Sequence, residues 1–409
     1  MIQPKIKESD ISFLKELVAI DTATETGAIK DGKGGEGYTA ITELLQKECR
    51  SLGATRINII TPKEAEKKAK RNIVAYFDNG AEHTLALNAH YDTVDTSSEG
   101  WRTDPLKVVE KNGRLYGRGT NDDKGAIVAI LSAIRDSSPS TNIELFLTCD
   151  EEVGSADGMD YVVDHFKSRS QSAVVVDADP FVFVGASGGF GATIKITGKG
   201  YHAGWPHRAV NPIQLGMPFL ERIVKFSDIA KRDVSRYVDA GPDEYDRKLT
   251  GRFSITTIHA GNPAVTNTIP YEMAASFNAR CIPEGSVGSL FERFERFFET
   301  EKLRYLKDLG LAEVKGGLKI WIERKSIMKK EPYVTPENED IVKRMVQLTG
   351  DKQLYGGHGG NDASAFVKVG IPAVSYGTFN ESAHKTNEFV AIKDLEKVKS
   401  TLTGLLESY

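Results

Sequence analysis

Cysteine is scarce in this chain of 409 residues, and the three present, Cys49, Cys149 and Cys281, are far apart and odd in number. That excludes a disulfide framework and a clustered cysteine zinc site, and points to a reducing, cytoplasmic setting. No apolar run approaches the roughly 20 residues of a membrane span. The first residues, MIQPKIKESD, lack the apolar stretch of a signal peptide. No strong charge of one sign is present either: 53 basic against 57 acidic residues give a net charge of −4, mixed along the chain. That argues against nucleic acid or an anionic membrane surface as the main partner. Internal repeats and low-complexity segments are absent.

What the chain does have is length and alternation. Its 409 residues exceed one ordinary core, so two domains are expected. Apolar strands near 57–60, 72–77, 84–89, 143–149 and 173–176 alternate with helical stretches at 10–20, 38–52, 125–137 and 158–167. Buried strands alternating with helices predict an α/β fold with a largely parallel sheet flanked by helices. From Gly188 the order changes to strand 190–197, helix 211–230, strands 252–258 and 272–281, helix 286–308 and strand 317–323. This βαββαβ order is the ferredoxin-like split unit, complete as a small domain. The charged stretch 232–250 reads as a surface insertion in it. A helix at 336–348, a strand at 371–376 and a helix at 393–408 then resume the first pattern. The expected architecture is a discontinuous α/β domain, 1–186 with 326–409, interrupted by an inserted lid, 187–325.

Ligands of open α/β sheets bind beyond the carboxyl ends of the strands. The strand at 84–89 is followed by His90-Tyr91-Asp92, that at 143–149 by Asp150-Glu151-Glu152, and that at 173–176 by Asp177. His384 lies in a loop beyond 371–376, and Gly119-Thr120-Asn121-Asp122-Asp123 precedes the helix at 125. Each piece alone has a plain alternative: a helix-dipole pair for Asp122-Asp123, a solvated strand end for Glu151-Glu152, a turn for Asp177, a surface imidazole for His384. Their common placement points to metal. Imidazole with carboxylate suits zinc, cobalt or manganese, whereas calcium prefers oxygen alone. Bound cations would also offset the repulsion among three consecutive carboxylates.

The segments NAHYDTVD, GRGTNDDKGA, CDEEVGSADG, GKGYHAGWPHRAVNP and SAHKTNEFV occur in the order seen in a group of dizinc amidohydrolases. That group includes acetylornithine deacetylase, succinyl-diaminopimelate desuccinylase, aminoacylase, carboxypeptidase G and several dipeptidases. The resemblance spans nearly the whole chain. It implies two divalent ions, zinc first with cobalt or manganese possible. His90 would ligate one ion and His384 the other, Asp122 would bridge them, and Glu152 and Asp177 would complete one site each. Asp179 rivals Asp177, which is preferred because it directly follows Val174-Val175-Val176. Asp92 would orient His90, and the peptide bond between Asp122 and Asp123 would tend to be cis. Glu151 would be the general base acting on the bridging water, since neighbouring strand-end residues point different ways.

The inserted segment carries further resemblances. His202 matches a histidine that stabilises the tetrahedral oxyanion, typically from a partner subunit, although Ala203 and Gly204 stand where the family has small hydroxyl residues. Asn267 and Arg280 match substrate-holding positions, with Arg280 clamping a carboxylate through its bidentate fork. Gly360 lies in GGHGGNDAS, a Gly-rich substrate loop in which Gly360-Asn361-Asp362 replaces a commoner Thr-Ser-Asp. His358 there has no assigned role. The expected activity is hydrolysis of an amide bond in an N-acyl amino acid or short peptide bearing a free carboxylate, by a homodimer joined through the lid. A dipeptidase is the alternative among enzymes, and a non-catalytic metal-binding scaffold the alternative of another class. Gly35-x-Gly37-x-x-Ala40 imitates a dinucleotide fingerprint, but polar AIKDGK precedes it, so it reads as a flexible entry turn. Phe291, Phe294, Phe297 and Phe298 read as lid core or an interface stripe.

Overall fold

A computed structural model describes residues 5–24, 34–63, 70–96, 99–241, 247–310 and 317–409. The chain divides into two compact units: Met1–Gly185 with Val334–Tyr355 and Asn361–Tyr409, and Ala186–Tyr333 with Gly356–Gly360. The insertion therefore closes later than 325. Its last strand does not stop at 323 but continues through a register shift, as Lys319–Lys330. The glycine-rich 356–360 belongs to it as well, an association that no local pattern announces.

In the first unit, four strands form a parallel core in the order Asn142–Thr148, Thr84–His90, Ser172–Val175, Ala373–Ser375. Asn72–Phe77 and Arg56–Ile60 add antiparallel strands at one side. Every residue of Thr84–His90 and Asn142–Thr148 is buried. Parallel strands are covered on both faces, so they read as continuous apolar runs. Helix Lys124–Asp136 buries all but its last two residues, and helix Ile392–Ser408 buries Leu395, Val398, Leu402, Leu405 and Leu406.

Register fixes the active rim of this sheet. His90 stands opposite Thr148, and Asn88 opposite Val175. The residues that follow each strand, 90–92, 150–152 and 177, therefore emerge level with one another.

The second unit is a four-stranded antiparallel sheet ordered Arg252–Ala260, Glu272–Arg280, Gly189–Thr197, Lys319–Lys330. Helices Pro212–Val224 and Val287–Asp308 complete its βαββαβ order. Strand Gly189–Thr197 alternates between buried and half-buried residues, as a sheet covered on one face should. Phe291, Phe294 and Phe298 are buried in its core, with Phe297 packed at the margin. The Phe294 ring lies 4.5 Å from Phe277 and 5.2 Å from Phe226, centre to centre. Such aromatic pairs add roughly 0.5–1.5 kcal/mol each beyond their buried area. The charged stretch 232–250 contains an antiparallel pair, Val234–Val238 with Lys248–Thr250; 242–246 lie outside the described residues.

Two further differences are informative. Helix Gly34–Ser51 starts before the expected 38, so Gly35 and Gly37 are helical and form no entry turn. A Cβ on Gly37 would fall 1.9 Å from the Asp21 carbonyl oxygen, which explains glycine there by close approach. The polar AIKDGK before it lies outside the described residues. Sequence reading also missed the hairpin Val109–Lys111 and Arg114–Tyr116, which takes Phe389–Ala391 as a third strand. Its signal was present as Asn112-Gly113, both with positive φ (53° and 70°), the conformation of a tight two-residue hairpin turn. No helix among the described residues is long and apolar enough to cross a membrane.

Candidate metal centre

The first unit gathers two imidazoles around one carboxylate. His90 ends strand Thr84–His90, and its Nε2 lies 3.0 Å from Asp122 Oδ1. His384 comes from the loop before Phe389–Ala391, and its Nε2 lies 2.9 Å from Asp122 Oδ2 and 3.0 Å from Glu152 Oε2. Asp122 thus faces one histidine with each oxygen. Two groups of donor atoms result, His90 with Glu151 and Asp177, and Asp122 with Glu152 and His384, each group within 4.8 Å. Asp177 is in the first group. Asp179 is in neither group; its carbonyl accepts from the N–H of Phe181 and of Gly377.

Buried neighbours hold these groups. His90 Nδ1 is 3.0 Å from the Asp92 carbonyl oxygen and 3.3 Å from Asp92 Oδ1. The Asp92 carboxylate also accepts the backbone N–H of Glu151 (3.3 Å) and of Glu152 (3.2 Å). Glu388 Oε1 accepts the N–H of Asn121 (2.9 Å) and of Asp122 (3.1 Å), while its Oε2 meets Arg118 Nη1 at 2.6 Å. Asp123 Oδ2 accepts the His90 N–H at 3.1 Å, and the Asp122–Asp123 peptide is cis. Asp362 accepts from the hydroxyls of Thr148 (3.0 Å) and Ser155 (2.6 Å), which flank the Glu151–Val153 turn. Glu388, Arg118 and Asp362 were not singled out from sequence. Their partners are remote backbone N–H groups and hydroxyls, or for Arg118 the Glu388 carboxylate and backbone carbonyls, which leave no local spacing to read.

Charge in the cluster is unbalanced without cations. Burial pushes Asp177 up to about 8, and lifts Glu151 well above the carboxylate range with help from the Asp177 charge. Glu152 is raised by burial and by Asp122. Burial alone would lower His90, but its bonds to Asp122 and Asp92 hold it well above an ordinary imidazole. Hydrogen bonds donated to Asp122 and Glu152 raise His384 to about 10. Glu152 Oε1 is also buried without a hydrogen-bond partner. Imidazole and carboxylate donors, an orphaned buried carboxylate oxygen and surplus negative charge all fit divalent metal.

The comparisons with known proteins agree with that chemistry. The model of Peptidase family M20/M25/M40 matches residues 86–408. The chain belongs to this family. It is a metal-dependent amide hydrolase. M20 relatives include a succinyl-diaminopimelate desuccinylase of Roseobacter denitrificans, 27% identical over 363 residues, covering 84% of this chain and 88% of the relative. An uncharacterized metallohydrolase of Methanocaldococcus jannaschii is 27% identical over 361 residues, covering 82% and 83%. Among solved structures, an M20 metallo-carboxypeptidase from Sulfolobus solfataricus shares the fold with TM-score 0.75 at 20% identity, over 98% of this chain and 99% of that one. The di-peptidase Dug1p of Saccharomyces cerevisiae gives TM-score 0.76 at 14% identity, over 98% and 95%.

The remaining M20 candidates lie in the inserted unit. His202 is exposed on the short strand Tyr201–His202, opposite Thr268 and beside Asn267, whose carbonyl accepts the Ala203 N–H at 2.8 Å. The His202 Nδ1 accepts the Gly204 N–H at 3.0 Å, so a backbone donor serves where family members have a hydroxyl residue. Arg280, half-buried at the end of Glu272–Arg280, donates Nε to Asn278 Oδ1 at 2.9 Å. Burial pulls its guanidinium below the usual value. Among the described residues no carboxylate pairs with it. A Cβ on Gly360 would stand 3.3 Å from the Ser187 carbonyl oxygen, tight packing that favours glycine.

Proposed function

We propose that the enzyme cleaves the amide bond of an N-acyl amino acid, or of a short peptide near its C-terminus, next to a free carboxylate. The observation that carries this reading is Asp122 facing His90 and His384 with separate oxygens while Glu151 stands among the donors beside His90. In this reading His90 and Asp177 hold one divalent ion and Glu152 and His384 the other, with Asp122 shared. Zinc suits the donors best, and cobalt or manganese can substitute. When bound, the ions polarise the amide carbonyl and acidify a water molecule.

The chain supplies the rest. Glu151 accepts the proton of the attacking water and returns it to the leaving nitrogen. Asp92 keeps His90 oriented and fixes the turn that carries Glu151. Arg280 clamps the substrate carboxylate, with Asn267 and Gly360 holding neighbouring polar groups. His202, presented by a lid-mediated homodimer across its subunit contact, donates to the developing oxyanion. Its exposure and its backbone-fixed Nδ1 support that role, since Nε2 is left to reach outward. The three cysteines are free and buried, which supports a cytoplasmic enzyme.

Hydrolysis of N-acetyl and N-succinyl amino acids and of dipeptides tests the reading. Turnover that a chelator abolishes and zinc, cobalt or manganese restores is expected. Metal binding without turnover of any of them would leave a non-catalytic scaffold.

A further inference from the structure

One register row in the inserted unit is only partly used by this chemistry. Arg252 pairs with Arg280, Arg280 with Gly189, and Gly189 with Lys330. Residues paired in antiparallel strands share a face, and like charges directly opposite destabilise a sheet. The two arginines make no ion pair with a carboxylate among the described residues. Arg280 gives its Nε to Asn278, and Arg252 directs Nη2 to His358 Nε2 at 3.1 Å, which must accept. The Asp239 carboxylate touches His358 and neither guanidinium: it accepts the His358 N–H at 3.1 Å and lies 3.8 Å from Nε2.

Glycines leave room beside the row. A Cβ on Gly189 would meet Arg280 Cδ at 2.8 Å, so the Arg280 stem lies across that glycine. A Cβ on Gly360 would meet Lys330 Cγ at 3.4 Å. The loop Gly356–Gly360 thus touches the row at both ends, through His358 at Arg252 and through Gly360 at Lys330. Two half-buried arginines paired across neighbouring strands, one of them bonded to an imidazole nitrogen, offer positive charge to more than one anion.

We propose that Arg252, braced by His358, binds a second carboxylate of the substrate while Arg280 binds the first. The substrate class narrows to dianionic N-acyl amino acids, in which the acyl group or the side chain ends in a carboxylate. The inference rests on the amide-hydrolase reading for the role of Arg280.

The test compares N-succinyl-L-alanine and N-acetyl-L-glutamate with N-acetyl-L-alanine and N-acetyl-L-glutamine. The wild-type kcat/KM should favour the dianionic pair by roughly 10–100-fold, the worth of one charge-assisted pairing. Arg252→Gln should bring that ratio close to one, chiefly through KM, and Arg252→Lys should retain part of it. Equal turnover of both classes by the wild type overturns the proposal. So does a parallel fall of both classes in Arg252→Gln, the signature of a purely structural residue. Calorimetric titration of the same proteins with glutarate and butyrate reads the subsite without turnover. A glutarate preference lost in Arg252→Gln, with no amide cleaved, sustains the subsite and overturns the reaction. Amide cleavage with no glutarate preference overturns the subsite alone.

Discussion

Asp92 accepts the backbone N–H of Glu151 with one carboxylate oxygen and that of Glu152 with the other, at 3.3 and 3.2 Å. The same side chain lies 3.3 Å from His90 Nδ1. One buried carboxylate therefore sets the direction of an imidazole on one strand and of two carboxylates after the next. Asp92→Asn keeps the shape but turns an NH₂ group toward one of its donors. The expected result is a loss of about 10–100-fold in metal affinity or kcat/KM, with the folded structure retained by circular dichroism. An unchanged affinity and rate would show that the turn positions itself.

Glu151→Gln separates chemistry from metal binding. Glutamine preserves the size of the side chain and removes its ability to take a proton. We expect two divalent ions per chain to persist by elemental analysis while kcat falls roughly 10²–10⁴-fold. Loss of one ion in parallel with activity would instead make Glu151 a ligand, a role that its place beside His90 and Asp177 makes worth excluding.

Glu388 and Arg118 form a fully buried ion pair at 2.6 Å, and Glu388 also receives the Asn121 and Asp122 N–H groups. Removing one partner strands the other charge. Glu388→Ala should cost about 3–5 kcal/mol of unfolding free energy, read from the urea midpoint. The double variant Glu388→Gln with Arg118→Met should recover a large part of it, because no buried charge remains. A single variant as stable as the double would contradict the pair.

The legible part of this molecule was whatever burial writes into local pattern. Fully buried parallel strands appear as apolar runs, so the polar residues that close them, His90, Glu151 and Asp177, could be placed on one rim before any coordinate was known. The inserted βαββαβ order was equally open, because its strands alternate and its phenylalanines fall at helical spacing. Contacts between residues distant in sequence were closed to reading. Glu388 caps a loop more than 260 positions earlier, by bonds to main-chain N–H groups that any residue carries. Arg252 gains its meaning only from register with Arg280. Short strands such as Val109–Lys111 bury too little to leave a pattern, and only the Asn-Gly turn betrays them.

Asp136 gives the acid response of the first unit a specific source. Its carboxylate accepts from Lys399 Nζ at 2.6 Å, Lys7 Nζ at 2.8 Å and Arg135 Nε at 2.8 Å. Lys399 is fully buried, so its ammonium depends on this partner and on the Lys5 carbonyl oxygen. Arg135 first, then Lys399 and Lys7, hold the carboxyl well below its usual range, against the opposing effect of burial. A folded-state pKa below the unfolded one means that the unfolded chain binds more protons as pH falls. The stabilisation is therefore complete above about pH 4, the unfolded value, and drains away as pH drops toward the folded one. Asp136→Asn should cost about 1–3 kcal/mol at neutral pH. The gap between wild type and variant should narrow below about pH 4, measured by urea denaturation of both proteins across the acid range. A gap that stays constant to the lowest pH at which both proteins fold would show that Asp136 contributes packing and no charge.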